Sequence, residues 1–262
     1  MQQGLIFDCD GVLADTELHG HLAAFNLMWQ KFGVPWRWSS AQYSEKLKIG
    51  GGKERMASLF RDPDFLRTVK IPESEEERGA LILSWHNEKT AIFEEIIAGG
   101  RIPPRAGIER LSQEALSAGW QLAVASTSAR PAVAAVLRLA VGELASEFSI
   151  FAGDVVRAKK PAPDLYLFAI EHLGIPASEC IAIEDSRNGL LSAHAARIPV
   201  LITVSEFTRE EEFDEAQLVV TSLGDPQAEK SEVLANRMGR EVGDFVGLSD
   251  LKAVIESAGV SP

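Results

Sequence analysis

The sequence predicts an α/β protein: a doubly wound, Rossmann-like parallel sheet with an all-helical cap domain inserted into it. Three observations predict it. Short apolar runs, each ending in a polar turn, alternate with segments of helical periodicity, the pattern of parallel strands joined by crossover helices. The alternation is broken between about Asp15 and Ala98, where only helical spacing is found. Polar residues gather at the ends of the apolar runs, on the carboxyl edge where such sheets bind ligands.

Taken in order, Leu5-Ile6-Phe7 opens the sheet as a strand apolar on both faces, with Cys9 still inside it. Residues two apart in a strand point the same way, so Asp8 and Asp10 emerge together, and Gly11 frees the backbone to turn beneath them. In the insert, Leu18, Leu22, Phe25, Trp29 and Phe32 keep helical spacing up to Gly33, with Pro35 beyond. A second long helix begins at the acidic run Ser74-Glu75-Glu76-Glu77, favourable at a helix N-terminus. Its apolar face reads as Leu81, Trp85, Ile92 and Ile96, and Gly99-Gly100 end it. Such an insert, leaving after strand one and returning before strand two, resembles a lid.

The alternation then resumes. Ile108, Leu111 and Ala115 form a helix stopped at Gly119, and Leu122-Ala123-Val124-Ala125-Ser126 is the next strand. Val133, Val136, Leu137 and Ala140 mark a helix before the strand Ile150-Phe151-Ala152-Gly153-Asp154. Pro163 opens a helix through Leu165, Phe168, Ala169 and Leu173, closed by Gly174. Cys180–Asp185 and Val200–Val204 are the remaining strands. Ser249 caps a final helix through Leu251, Val254 and Ile255. The domain expectation is therefore a core of residues 1–14 and 99–225, a cap of residues 15–98, and an extension of residues 226–262 without an assigned role.

The 262 residues and 46% hydrophobic content suit a real core with an inserted smaller unit. A net charge of -12 with no basic stripe argues against a nucleic-acid binder. Two cysteines make no disulfide framework and fit reduced, buried thiols. No apolar stretch approaches membrane-span length, and the first strand starts too close to Met1 for a signal peptide. The expectation is a cytoplasmic protein, or a plastid stromal one if a transit peptide was removed, acting as a monomer without nucleic-acid or membrane partners.

Two like charges side by side, as at Asp8 and Asp10, are costly unless a cation or a proton separates them. A surface turn with two acids is the bland alternative; a metal-assisted nucleophile beside an acid/base is the sharper one. Four motifs in order favour the second. Asp8-Cys9-Asp10-Gly11-Val12, Ser126-Thr127-Ser128, Lys160-Pro161-Ala162-Pro163-Asp164 and Glu184-Asp185-Ser186 together resemble the haloacid dehalogenase superfamily of phosphatases and phosphomutases.

That resemblance implies a role for each residue. Asp8 would attack phosphorus and form an aspartyl phosphate. Mg²⁺ would be held by Asp8, the Asp10 backbone carbonyl and Asp185, with Glu184 supporting its waters. A helix-capping role is the alternative for Glu184. Asp10 would protonate the leaving alkoxide and then activate water. Ser126, Thr127, nearby backbone N–H groups and Lys160 would hold the phosphate, the alternative for Lys160 being an ordinary surface lysine. A dehalogenase would not need the acid at Asp10, because halide leaves unprotonated.

In the insert, Lys48-Ile49-Gly50-Gly51-Gly52-Lys53-Glu54-Arg55-Met56 places three glycines before two cations and a helical pattern. Glycine N–H groups at a helix start, with Lys and Arg beside them, suit an anion; a flexible loop is the alternative. A Walker A reading fails, since no strand precedes and Glu54 follows Gly-Lys. With Tyr43 and Ala152-Gly153-Asp154, this segment resembles the CbbY-type proteins, which dephosphorylate xylulose-1,5-bisphosphate, an inhibitor of rubisco. The resemblance spans about residues 4–226. It implies that Glu17, Tyr43, Gly51, Gly52, Lys53 and Arg55 hold the sugar bisphosphate, the two cations taking the phosphate not cleaved. The bacterial pattern has a histidine three residues after the glutamate, whereas here His19 and His21 flank that position; counting back from Phe25-Asn26 favours His21, as if one residue had been inserted. Lys89, on the apolar stripe of its helix, either snorkels to water or turns toward the substrate. The expected function is a Mg²⁺-dependent sugar (bis)phosphate phosphatase. A β-phosphoglucomutase-like mutase, a phosphoglycolate or general sugar-phosphate phosphatase, and a non-catalytic phosphate-sensing module are the alternatives.

Overall fold

The computed structural model describes residues 2–100 and 102–258. The chain divides into two units, one built from Met1–Asp15 and Pro103–Pro262 and the other from Thr16–Ile102.

The first unit is a seven-stranded sheet: β1 (Gly4–Phe7), β2 (Gln121–Ser126), β3 (Phe148–Ala152), β4 (Cys180–Glu184), β5 (Val200–Thr203), β6 (Leu218–Val220) and β7 (Val233–Asn236). Their order in the sheet is β3-β2-β1-β4-β5-β6-β7. The first six run parallel and β7 closes the edge antiparallel to β6. β1 and β4 are buried along their whole length, as a central parallel strand covered on both faces must be. Ile6, Leu165, Ala169, Leu190 and Ile202 belong to one core cluster built on the sheet.

The chain winds outward in one direction from β1 to β3, then restarts at β4 and winds the other way. That reversal is a topological switch point, where loops diverge and leave a crevice at the strand ends. It lies between β1 and β4. Phe7 is in register with Ile183, and the Asp8 N–H donates to the Ile183 carbonyl at 2.9 Å. Asp8 and Glu184 therefore end their strands side by side.

Several local expectations change. β1 ends at Phe7, so Cys9 lies in the turn after the strand, though still buried. Residues 226–258, left without a role, supply β7 and the helix Leu248–Ala258. That helix starts before Ser249, and the Asp250 carboxylate accepts the Gly247 N–H at 2.9 Å, so the aspartate caps it. β6 and β7 lie outside the expected strands; β6 is only three residues long and β7 is largely exposed, so it carries no buried apolar run.

The second unit is all-helical. A π-helical turn, Glu17–Leu22, runs directly into the helix Ala23–Lys31. Ser40–Leu47 starts at a capping box between Ser39 and Gln42, Gly52–Ser58 and Pro63–Thr68 are short, and Glu75–Ala98 is the longest element. The long helix buries Trp85, Lys89, Phe93 and Ile97. The expected face of Leu81, Trp85, Ile92 and Ile96 holds only at Trp85. The buried row runs at strict four-residue spacing and includes Lys89, which the sequence already places on the apolar stripe. Aromatic packing fills the interior: Trp29 meets Trp38 at 4.6 Å and 88°, and Phe25 meets Trp38 at 5.0 Å and 66°. Among the described residues no helix is long and apolar enough to cross a membrane.

Candidate active site

In the sheet unit, the functional side chains sit at the carboxyl ends of β1, β2 and β4. Gly11 adopts φ +80°, and a β-carbon there would collide with the Asp185 carboxylate, so this turn requires glycine for both conformation and space. Lys160 reaches in from the loop after β3. Its Nζ lies 2.6 Å from Asp8 Oδ1, 2.5 Å from Glu184 Oε1 and 2.8 Å from the Ala125 carbonyl. Ser126, buried at the end of β2, accepts the Ser128 N–H at 3.1 Å, while Thr127 beside it is half-buried. Ser128 Oγ donates to Asp10 Oδ2 at 2.6 Å.

Charge is out of balance here. Asp8, Glu184 and Asp185 each offer an oxygen within 4.8 Å of the others, and Lys160 is the ammonium among them. Burial pushes Asp8 up to about 8, with Glu184 and Asp10 adding to the rise and Lys160 opposing it. Burial works against the charge on Lys160, yet Asp8 and Glu184 hold it above the ordinary lysine range. Glu184 Oε2 is buried without a hydrogen-bond partner. An all-oxygen donor set with surplus negative charge and an unsatisfied carboxylate oxygen fits a hard divalent cation.

Two residues the motifs left without roles join this group. Ser128, the last residue of the Ser126-Thr127-Ser128 motif, is the one that binds Asp10. Tyr166, two residues after the lysine motif, donates its hydroxyl to Glu184 Oε1 at 2.6 Å. Burial and the Glu184 charge keep that phenol protonated well beyond the ordinary tyrosine range. In sequence it reads as one more core residue of its helix. Asp154, also at a strand end, pairs instead with Lys159 at 2.7 Å.

The helical unit holds two further groups. Tyr43 is fully buried and donates its hydroxyl to Glu17 Oε2 at 2.6 Å, while Arg55 donates to that hydroxyl at 3.0 Å. Arg55 also donates to the Ile49 carbonyl at 2.9 Å and lies 3.9 Å from Glu17. Gly51 takes φ +96°, and a side chain there would collide with the Glu54 carboxylate. Gly52 and half-buried Lys53 begin the seven-residue helix that carries Arg55.

In the second group, Lys89 Nζ meets His21 Nδ1 at 2.5 Å, and His21 stacks on Phe93 at 4.1 Å and 18°. The Lys89 ammonium also lies 4.9 and 5.0 Å from the Phe25 and Phe93 ring centres. Lys89 therefore does not snorkel to water. His21 is buried and His19 is exposed. The π-helical turn absorbs one extra residue without breaking the helix; it begins at Glu17 and contains His21, the segment where the sequence shows an apparent insertion.

A family model of haloacid dehalogenase-like hydrolases matches residues 3–197. Protein CbbY of Cupriavidus necator is 42% identical over 228 residues, 86% of this chain and 87% of that protein. A CBBY-like protein of Arabidopsis thaliana is 41% identical over 88% of this chain and 72% of its own length. Among solved structures, a mutant CbbY from Rhodobacter sphaeroides in complex with xylulose-1,5-bisphosphate is 39% identical, with a TM-score of 0.75, covering 85% of this chain and 95% of that one.

Proposed function

As this chain belongs to the haloacid dehalogenase-like hydrolases, in their CbbY-type branch, it is a phosphatase, and we propose that it hydrolyses a sugar bisphosphate, xylulose-1,5-bisphosphate above others, with Mg²⁺ as cofactor. The observation that carries the mechanism is the Asp8 carboxylate beside Lys160, among acids whose oxygens lie within 4.8 Å of one another.

Asp8, the Asp10 carbonyl, Glu184 and Asp185 are the residues that would hold Mg²⁺. When bound, the ion supplies positive charge that screens the phosphoryl oxygens from the attacking carboxylate. Asp8 Oδ attacks phosphorus and becomes an aspartyl phosphate while the bond to the leaving sugar oxygen breaks. Asp10 gives its proton to that oxygen, then takes one from the water that cleaves the acyl phosphate. Ser128 keeps the Asp10 carboxylate oriented between these two transfers. The Ser126 hydroxyl, Thr127 and the Lys160 ammonium bind the non-bridging oxygens, whose charge shifts during transfer.

In the helical unit, Arg55 and Lys53 take the phosphate that is not cleaved. Glu17, His21 and Tyr43 take the sugar hydroxyls, and Lys89 holds the His21 ring in place. Arg55 suits an anion because Tyr43, the Ile49 carbonyl and Glu17 already fix its guanidinium, so little side-chain entropy is left to lose. The CbbY structure containing xylulose-1,5-bisphosphate supports this choice of substrate.

The test is a panel of phosphorylated sugars assayed for phosphate release and, by product analysis, for isomerised sugar phosphate. The reading requires xylulose-1,5-bisphosphate to give the highest kcat/KM, with free phosphate as product. Preference for a monophosphate, or isomerisation in place of release, would overturn it.

A further inference from the structure

A lysine ammonium has three N–H donors. Lys160 has three acceptors in reach: Asp8 Oδ1, the Ala125 carbonyl and Glu184 Oε1. Once Lys160 turns a donor toward an incoming phosphoryl oxygen, one of those acceptors loses its partner. Glu184 Oε1 is the one with a second donor, because the Tyr166 hydroxyl lies 2.6 Å away. Tyr166 itself is fully buried on the helix Asp164–Leu173, with Lys160 Nζ 4.9 Å from its ring centre, so packing holds the phenol in place.

The other oxygen of the same carboxylate, Oε2, is buried and has no partner. A buried carboxylate oxygen without a donor is costly, which makes it a ligand atom in waiting. Space for the carboxylate depends on Gly189, since a β-carbon there would collide with both Glu184 oxygens. The carboxylate is thus bounded by Gly189 on one side and tied at a single oxygen on the other.

We infer that Tyr166 is a positioning residue for the cation site: its hydroxyl holds Glu184 by Oε1 so that Oε2, the oxygen without a donor, is kept available to the divalent cation, including while Lys160 is engaged with substrate. The inference rests on the Mg²⁺ reading of this site. Hydrogen bonds that orient a ligating carboxylate typically contribute ten- to a hundredfold in metal affinity.

The experiment is isothermal titration of Mg²⁺ into the full wild-type chain and into Tyr166→Phe, which removes one oxygen and keeps the ring. Thermal melting of both proteins without metal is the control for folding. Tyr166→Phe should bind Mg²⁺ about tenfold more weakly with an unchanged Tm, and saturating Mg²⁺ should restore most of its kcat. An unchanged Kd overturns the inference, as does a loss of kcat that saturating Mg²⁺ does not relieve, which would give Tyr166 a role in packing alone. No saturable binding to the wild type would overturn the Mg²⁺ reading itself.

Discussion

The candidate site residues of the two units carry opposite imbalances of charge. The sheet unit brings the carboxylates of Asp8, Glu184 and Asp185 together with one ammonium, Lys160, and places Asp10 two residues further on. The helical unit sets three candidate cations, Lys53, Arg55 and Lys89, against one candidate carboxylate, Glu17. On the proposed function, the first imbalance would attract a cation and, through it, a phosphoryl group, and the second would attract an anion directly. Both groups are anchored, by different partners: Lys160 is held by two carboxylates and a carbonyl, whereas Arg55 is held by the Tyr43 hydroxyl and the Ile49 carbonyl, with Glu17 at 3.9 Å.

Removing the nucleophile is the strongest way to test that division. Asp8→Asn is nearly isosteric and should lower kcat by at least about a thousandfold while the protein remains folded, as read by steady-state phosphate release and circular dichroism. A variant retaining a tenth of wild-type turnover would end the covalent mechanism.

Chelation tests the same side of the comparison. Treatment with EDTA should bring turnover down to background and Mg²⁺ should restore it, because four acids cannot be balanced by Lys160 alone. Full activity after exhaustive chelation would leave the acidic surplus without a purpose.

Asp10→Asn should cost about 10²–10⁴-fold in kcat with a sugar phosphate, the usual range for a lost acid/base. An activated aryl phosphate should suffer less at the transfer step, since its leaving group departs without a proton; single-turnover kinetics separate that step from hydrolysis. Equal losses at that step would mean that Asp10 serves mainly to hold the site together.

On the helical side, Arg55→Ala and Lys53→Ala should each lower kcat/KM roughly ten- to a hundredfold for a sugar bisphosphate, the equivalent of one charge-assisted contact of about 1.5–3 kcal/mol. With an aryl phosphate, which has no second phosphate, both should behave almost as wild type. Equal losses on the two substrates would move these residues from recognition to folding.

The smallest effect concerns Cys180. Burial pushes its thiol up to about 12, so at pH 8 only on the order of one molecule in ten thousand carries the reactive thiolate. Iodoacetamide at that pH should leave Cys180 unlabelled in the native protein, by peptide mass mapping, with reactivity growing as pH rises toward that value. Rapid native labelling would mean that the strand end opens far more readily than its burial implies.

The α/β class, the inserted helical segment and the places where polar residues leave the strands are legible in the sequence, because they follow from local periodicity. Asp8, Asp10, Ser126, Glu184 and Asp185 could be picked out for the same reason, since each lies at or just past the end of an apolar strand, whereas Lys160 stood out only through the resemblance of its motif. The fold supplied what depends on distant segments meeting. It set Tyr166 against Glu184 and Ser128 against Asp10, partners separated by 18 and 118 residues. It buried Lys89 on His21 across 68 residues, and moved the inner face of the long helix to the row containing that lysine. It also paired β6 with β7, two strands that the apolar pattern does not mark. A hydrogen bond or an aromatic contact is chosen by which side chains arrive at one point in space, and residue spacing along the chain carries no record of that.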